Sequence, residues 1–292
     1  HIEQVIPVID QALEDANVKL EDIDHIGVTY GPGLVGALLV GVAAAKGLSF
    51  ATGIPLVPVH HMEGHIFANF LANPTLEPPF LSLVVSGGHT MLVHVKDYEE
   101  FQILGQTRDD AAGEAFDKIA RVMGFPYPGG PHIDALAKEG NPNAIEFPKA
   151  LSEPGNFEFS FSGLKSAVLN YLNSKSQKGE DIHQADVAAS FQKAIVDVLV
   201  DKTKDAAHTL GETNITIAGG VSANQGLQVA LEAMCKEEGF TYYKPGKILS
   251  TDNAAMIGCR AYYMAQAGKF CDLHLNAKPS VPIGTVAWVE GK

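Results

Sequence analysis

Apolar side chains recur at helical spacing from the start of the chain. Ile2, Val5, Ile6, Ile9, Leu13 and Ala16 define an amphipathic helix, with Pro7 kinking it or marking its first turn. Residues 25–30 read as a short strand, and the turn Gly31-Pro32-Gly33 leads into the most apolar run of the chain, residues 34–45. That run is shorter than the ~20 residues of a membrane helix and Lys46 ends it, so a buried helix is expected. Residues 56–59 form another β-rich run, followed by a histidine-rich helix start. After Pro78 and Pro79, residues 80–86 and 90–95 are β-rich and joined through Gly87-Gly88, the pattern of a hairpin. Residues 111–123 look helical, Tyr127-Pro128-Gly129-Gly130-Pro131 a rigid loop, and 185–208 a long apolar-periodic helix. Residues 214–218 form a strand running into Gly219-Gly220, with a helix expected from Ser222. The last substantial helix is expected over 252–267, capped by Ser250 or Thr251. Strands alternating with helices indicate an α/β architecture.

Composition adds limits. With 46% hydrophobic residues in 292, the chain can build one large core or two smaller ones, and its length favours two domains or lobes. The three cysteines are odd in number and none has C-x-x-C spacing, so a reducing, cytoplasmic setting is expected rather than a disulfide framework. The net charge of -13 argues against a chain that grips nucleic acid alone; a nucleic-acid substrate would need a local basic patch or a basic partner. No secretory signal is visible, and the chain opens on His1 rather than Met.

Four constellations could carry chemistry. In His61-Met62-Glu63-Gly64-His65, positions i and i+4 lie about 40° apart on a helix, so both imidazoles point one way, as a metal grip requires. Glu63 lies about 200° from His61, on the opposite face. A zinc peptidase carries its base in H-E-x-x-H, so Glu63 is poorly placed for that part and is expected behind the ligands, in a salt bridge or at a partner surface. His60 points elsewhere. The alternative is two surface histidines. Asp252, among small residues at a helix start, is the candidate third ligand, or else an ordinary helix N-terminal Asp. Val85-Ser86-Gly87-Gly88-His89-Thr90 exposes backbone N–H groups to an anion, unless it is a plain tight turn. Ile217-Ala218-Gly219-Gly220-Val221-Ser222-Ala223-Asn224 makes a ledge beside a helix N-terminus suited to a nucleoside, which Asn224 could bond. The acidic helix from Asp109 to Lys118 offers Asp117 to ribose hydroxyls, or is a solvated face.

With Tyr-Pro-Gly-Gly-Pro at 127–131, Phe-Ser-Phe-Ser-Gly-Leu-Lys at 159–165 and Thr-Asp-Asn-Ala-Ala-Met-Ile at 251–257, seven motifs stand in one order. Together they resemble the bacterial tRNA N6-adenosine threonylcarbamoyltransferase family, formerly called O-sialoglycoprotein endopeptidases. The resemblance implies a two-lobed actin-like ATPase (ASKHA, ribonuclease H-like) fold. The first lobe would comprise residues 1–78 with 250–292, carry the metal ligands and be incomplete at its N-terminus, because the family begins with a β-rich segment ahead of the first helix here. The nucleotide-binding second lobe would be residues 79–249. One divalent metal per subunit, Fe2+ before Zn2+, would sit on His61, His65 and Asp252. Threonylcarbamoyl-AMP would lie on Val85, Ser86, Gly87, Gly88 and His89, with Asp117, Gly130, Asp134, Gly219, Gly220 and Asn224 around ribose and base. The reaction implied is metal-assisted acyl transfer to N6 of the adenosine 3′-adjacent to the anticodon, in tRNAs reading ANN codons. Expected partners are tRNA, a paralogous actin-like subunit (TsaB), a P-loop ATPase (TsaE) and a second copy of the chain. No general base is assigned. A metallopeptidase and a non-catalytic nucleotide-binding subunit are the alternatives; a chain that cleaves peptides, or that purifies without metal, would favour them respectively.

Overall fold

The computed structural model describes residues 1–151, 153–285 and 287. They form two compact units: one runs from His1 to Leu71 and resumes at Asp252, and the other is Ala72–Thr251.

The first unit opens with helix α1 (Val5–Ala16), which carries Pro7 in its first turn and has no buried residue. Strand β1 (Ile26–Gly31) pairs in parallel with β2 (Leu56–His60). Between them α2 spans Val35–Thr52 and stops where Gly53 takes the left-handed conformation (φ 78°). The expectation of a buried helix over residues 34–45 is corrected here. The helix runs on through Lys46, whose ammonium reaches the Leu275 carbonyl at 3.2 Å. Only Leu38, Val42 and Ala45 are buried, while Val35, Leu39 and Phe50 are exposed. A two-stranded sheet covers one stripe of a helix, not its circumference.

Helix α3 (His61–Ala72) follows β2 directly and is buried along most of its length. In the second unit, β3 (Phe80–Val85) and β4 (Thr90–Val95) form the expected antiparallel hairpin. β5 (Phe101–Gln106) extends it, a strand that the polar-interrupted sequence did not disclose. Then come α4 (Ala112–Val122), α5 (Gly130–Ala137), α6 (Ser162–Gln177) and α7 (Gln184–Leu210). The Tyr127–Pro131 loop is shorter than expected, because Pro131 lies in the first turn of α5, where its missing N–H costs nothing.

β6 (Asn214–Ala218) is parallel to β3, and β7 (Thr241–Tyr243) is parallel to β6, giving the sheet order β5-β4-β3-β6-β7. The helix expected from Ser222 starts later. Gly220–Ala223 is a 3-10 turn, and α8 (Gln225–Glu238) begins after Asn224, whose side chain accepts from Leu227 N. A short helix, α9 (Lys247–Ser250), precedes α10 (Ala254–Gln266). Asn253, rather than Ser250 or Thr251, caps α10, accepting from Met256 N at 2.8 Å.

Candidate active site

In the first unit the end of β2 delivers the chain straight into α3, which sets His61 and His65 on one face. Their rings lie 4.7 Å apart, edge to face. Asp252 stands two residues before α10. Its Oδ1 is 3.1 Å from His65 Nε2 and 3.4 Å from His61 Nε2. The two imidazoles, His61 first, hold the Asp252 carboxyl well below the usual carboxylate range. One ligand atom from each of the three lies within 4.8 Å of the others. A tetrahedral ion bound at about 2.0–2.1 Å keeps its ligand atoms about 3.3–3.4 Å apart. The Asp–His separations therefore suit a borderline metal with nitrogen and oxygen ligands. His65 is 2% exposed and Asp252 is 79% exposed, so the trio is anchored on one side and open on the other.

Glu63 is turned away from the trio. It is buried, and Oε2 accepts from Arg260 Nε at 2.8 Å, which is the salt-bridge form of its expected role. His60 is structural: Nε2 contacts the Val281 carbonyl at 3.1 Å, and Nδ1 accepts from Met62 N. Burial pushes its imidazole pKa down.

In the second unit, two glycine turns follow the C-terminal ends of the neighbouring parallel strands β3 and β6, the usual ligand edge of an α/β sheet. Ser86 and His89 close the first turn, Ser86 N to His89 O at 2.8 Å and His89 N to Ser86 Oγ at 3.0 Å. Gly87 and Gly88 are exposed, with open space where a Cβ would be. The two turns meet at Gly219, held at φ 88°, where a Cβ would lie 2.4 Å from the Val85 carbonyl. Gly113, at the start of α4, approaches as closely: its Cβ would lie 2.6 Å from Ser86 O.

Asp117 accepts from Gly129 N at 2.7 Å, pinning the turn before Gly130. Asp134 accepts from Gln225 N and Gly226 N at 3.2 and 3.3 Å. Asn224 donates to Gln192 Oε1 at 2.8 Å. The second-unit candidates thus fall at one edge of the sheet.

Sequence reasoning missed Arg260 and Gln192, the partners of Glu63 and Asn224. Each is a polar residue inside an apolar helical stretch, which is the available signal for a buried pair.

The fold matches those of known structures. Full-length HypF in its phosphate- and nucleotide-bound form superposes with a TM-score of 0.66 at 14% identity, over 89% of this chain and 41% of that one. Component A of Acidaminococcus fermentans (R)-2-hydroxyglutaryl-CoA dehydratase gives 0.52 at 18% identity, over 89% and 83%. At such identities the likeness is one of fold alone. The chain is an actin-like ATPase-fold protein with a His-His-Asp cluster suited to a metal.

Within that class it belongs to the tRNA N6-adenosine threonylcarbamoyltransferase family, whose model, TsaD, matches residues 1–259. It is 58% identical over 284 residues to the tRNA N6-adenosine threonylcarbamoyltransferase of Clostridium botulinum (strain 657 / Type Ba4), covering 97% of this chain and 84% of that protein. The protein of the same name from Clostridioides difficile (strain 630) is 56% identical over the same shares, and that from Moorella thermoacetica (strain ATCC 39073 / JCM 9320) is 55% identical over 97% and 83%. The family resemblance of the seven motifs is thereby borne out.

Proposed function

We propose that this chain transfers the threonylcarbamoyl group of threonylcarbamoyl-AMP to N6 of the adenosine 3′-adjacent to the anticodon, in tRNAs reading ANN codons. The observation that carries the chemistry is the convergence of His61, His65 and Asp252 across 187 residues of sequence. Family membership supplies the substrate class. The first lobe, 1–78 with 250–292, carries a divalent metal, Fe2+ or Zn2+; the second, 79–249, holds the nucleotide.

The donor is a mixed anhydride, so AMP is already a good leaving group. N6 attacks the carbamoyl carbon, the bond from that carbon to the phosphate oxygen breaks, AMP leaves with the electron pair, and N6 loses a proton. The chain's task is to bind and orient. The open N–H groups at Gly87 and Gly88 receive anionic oxygen, with Ser86 and His89 fixing the turn. Asp117 and Asp134, each already anchored to backbone, present carboxylate oxygens to the ribose, while Gln192 holds the Asn224 amide for the base. Such positioning contributes several kcal/mol, up to ~7–11 in ideal cases. The metal, when bound, supplies Lewis-acid stabilisation of developing negative charge.

The metallopeptidase alternative loses its base, since the Glu63 carboxylate is buried against Arg260. Partners in this reading are tRNA, TsaB, TsaE and a second copy of the chain. The test is transfer of labelled threonylcarbamoyl to tRNA by the full chain with TsaB and TsaE, with and without chelator. Chelator-sensitive labelling is expected; metal-dependent peptide cleavage without tRNA labelling would overturn the reading.

A further inference from the structure

His61 and His65 share one turn of α3, so helix geometry alone fixes them relative to each other. Asp252 comes from the other end of the chain and sits on an exposed approach to α10. The free variable of the trio is therefore where α10 stands against α3. At that junction Gly64 lets the helices close: a Cβ there would lie 2.7 Å from Ile257 Cδ1. Beside it lies a buried ion pair. Arg260, 1% exposed, donates from Nε to Glu63 Oε2 and lays its guanidinium 4.7 Å from the Phe67 ring centre on α3.

The second oxygen of the same carboxylate, Glu63 Oε1, accepts from Gly284 N at 3.1 Å. Gly284 ends a strap that begins where Lys278 N donates to Tyr30 O at 2.8 Å. It continues through Gly33 N to Pro279 O at 3.2 Å and the Val281 carbonyl at His60, the residue before the first ligand. The strap lies beyond the residues that the family model matches. One carboxylate that is not a ligand thus ties together α3, α10 and the C-terminal strap.

We propose that Glu63 is a positioning residue of the metal centre: acting through Arg260 and Gly284, it fixes α3 against α10 and so sets the distance from His61 and His65 to Asp252. The proposal rests on the trio being a metal site.

The test is Zn2+ titration of the metal-free chain by calorimetry, with thermal melting alongside. Glu63→Gln alone takes the Glu63 charge away from a buried guanidinium, so the working comparison is the double variant Glu63→Gln/Arg260→Met, which removes both charges and keeps an acceptor for Gly284 N. It is expected to fold and to bind one Zn2+ at saturation, but about 10–100-fold more weakly, the loss usual for groups that orient ligands from behind. Arg260→Lys, which keeps a cation for Glu63 but loses the planar fork over Phe67, is expected to lose less. Wild-type Zn2+ affinity in both folded variants would overturn the proposal and leave the pair a matter of stability only. His65→Ala separates the two ideas: if it too binds Zn2+ as the wild type does, the metal site itself is wrong.

Discussion

The second unit closes its apolar residues around a five-stranded sheet, with Leu83, Phe159, Phe191 and Ile217 fully buried in one cluster. The first has a two-stranded sheet and, among the described residues, smaller clusters such as those around Val42 and around Val57, and α2 leaves much of its apolar surface uncovered. Around its histidine pair the first unit carries directed polar ties: Glu63 to Arg260, Lys46 to the Leu275 carbonyl, His60 to the Val281 carbonyl, Lys278 N to the Tyr30 carbonyl. Such ties fix atoms where apolar packing fixes only volume. On the function proposed above, the metal site would need the former and the nucleotide ledge could stand on the latter. The largest expected effect follows from this. Arg260→Met leaves the buried Glu63 carboxylate without its counter-ion and should cost about 3–5 kcal/mol. Native-state hydrogen exchange should place the loss in residues 1–71 and 252–285, and an equal loss in Ala72–Thr251 would break the contrast.

Metal should act on the same side. At a Zn2+ concentration 100 times its Kd, stabilisation by about 2.7 kcal/mol is expected. Exchange protection should rise around α3 and α10 and not around β3 and β6. Next in size, Asp117→Ala should weaken adenine-nucleotide binding by about 1–3 kcal/mol in calorimetry while Zn2+ affinity holds. Unchanged nucleotide affinity would remove Asp117 from the ledge.

The smallest effect is one of pH. Burial pushes the Asp109 carboxyl up, but the Ser160 and Ser162 hydroxyls and the N–H groups of Phe161 and Ser162 outweigh it, so its folded pKa is lowered. A lowered carboxyl contributes stability above its unfolded value and loses it as pH falls through the folded one. Acid titration of wild type against Asp109→Asn should show a difference at neutral pH that shrinks below about pH 3.9. A gap that stays constant down to pH 2 would show that Asp109 makes no such contribution.

The hairpin and the i, i+4 histidines were legible because each is a local pattern: alternation about two glycines, and two ligands a turn apart. β5 was not, because Gln102, Gly105 and Gln106 break its apolar run; Gly105 is there for the Phe157 backbone, whose carbonyl would meet a Cβ at 2.0 Å. α6 was read as a motif rather than a helix, since it buries only Leu164 and Val168. Asp252 could be matched to the histidines through the family but not through spacing, and Arg260 through neither. A pair separated by 197 residues leaves no periodic trace.

The histidine pair and its carboxylate are separated by 187 residues, and the whole second unit is spelled out between them. Synthesis is directional. At ~5–20 residues per second, His65 waits about 10–40 s on the ribosome before Asp252 exists. By the time Thr251 is added, Ala72–Thr251 is complete as one uninterrupted stretch and can close its own core. The first unit cannot, because its last helix is still unmade. If the trio binds metal as proposed, all three ligands are present only after synthesis has passed Asp252, and a chain terminated before that point offers two ligands of three.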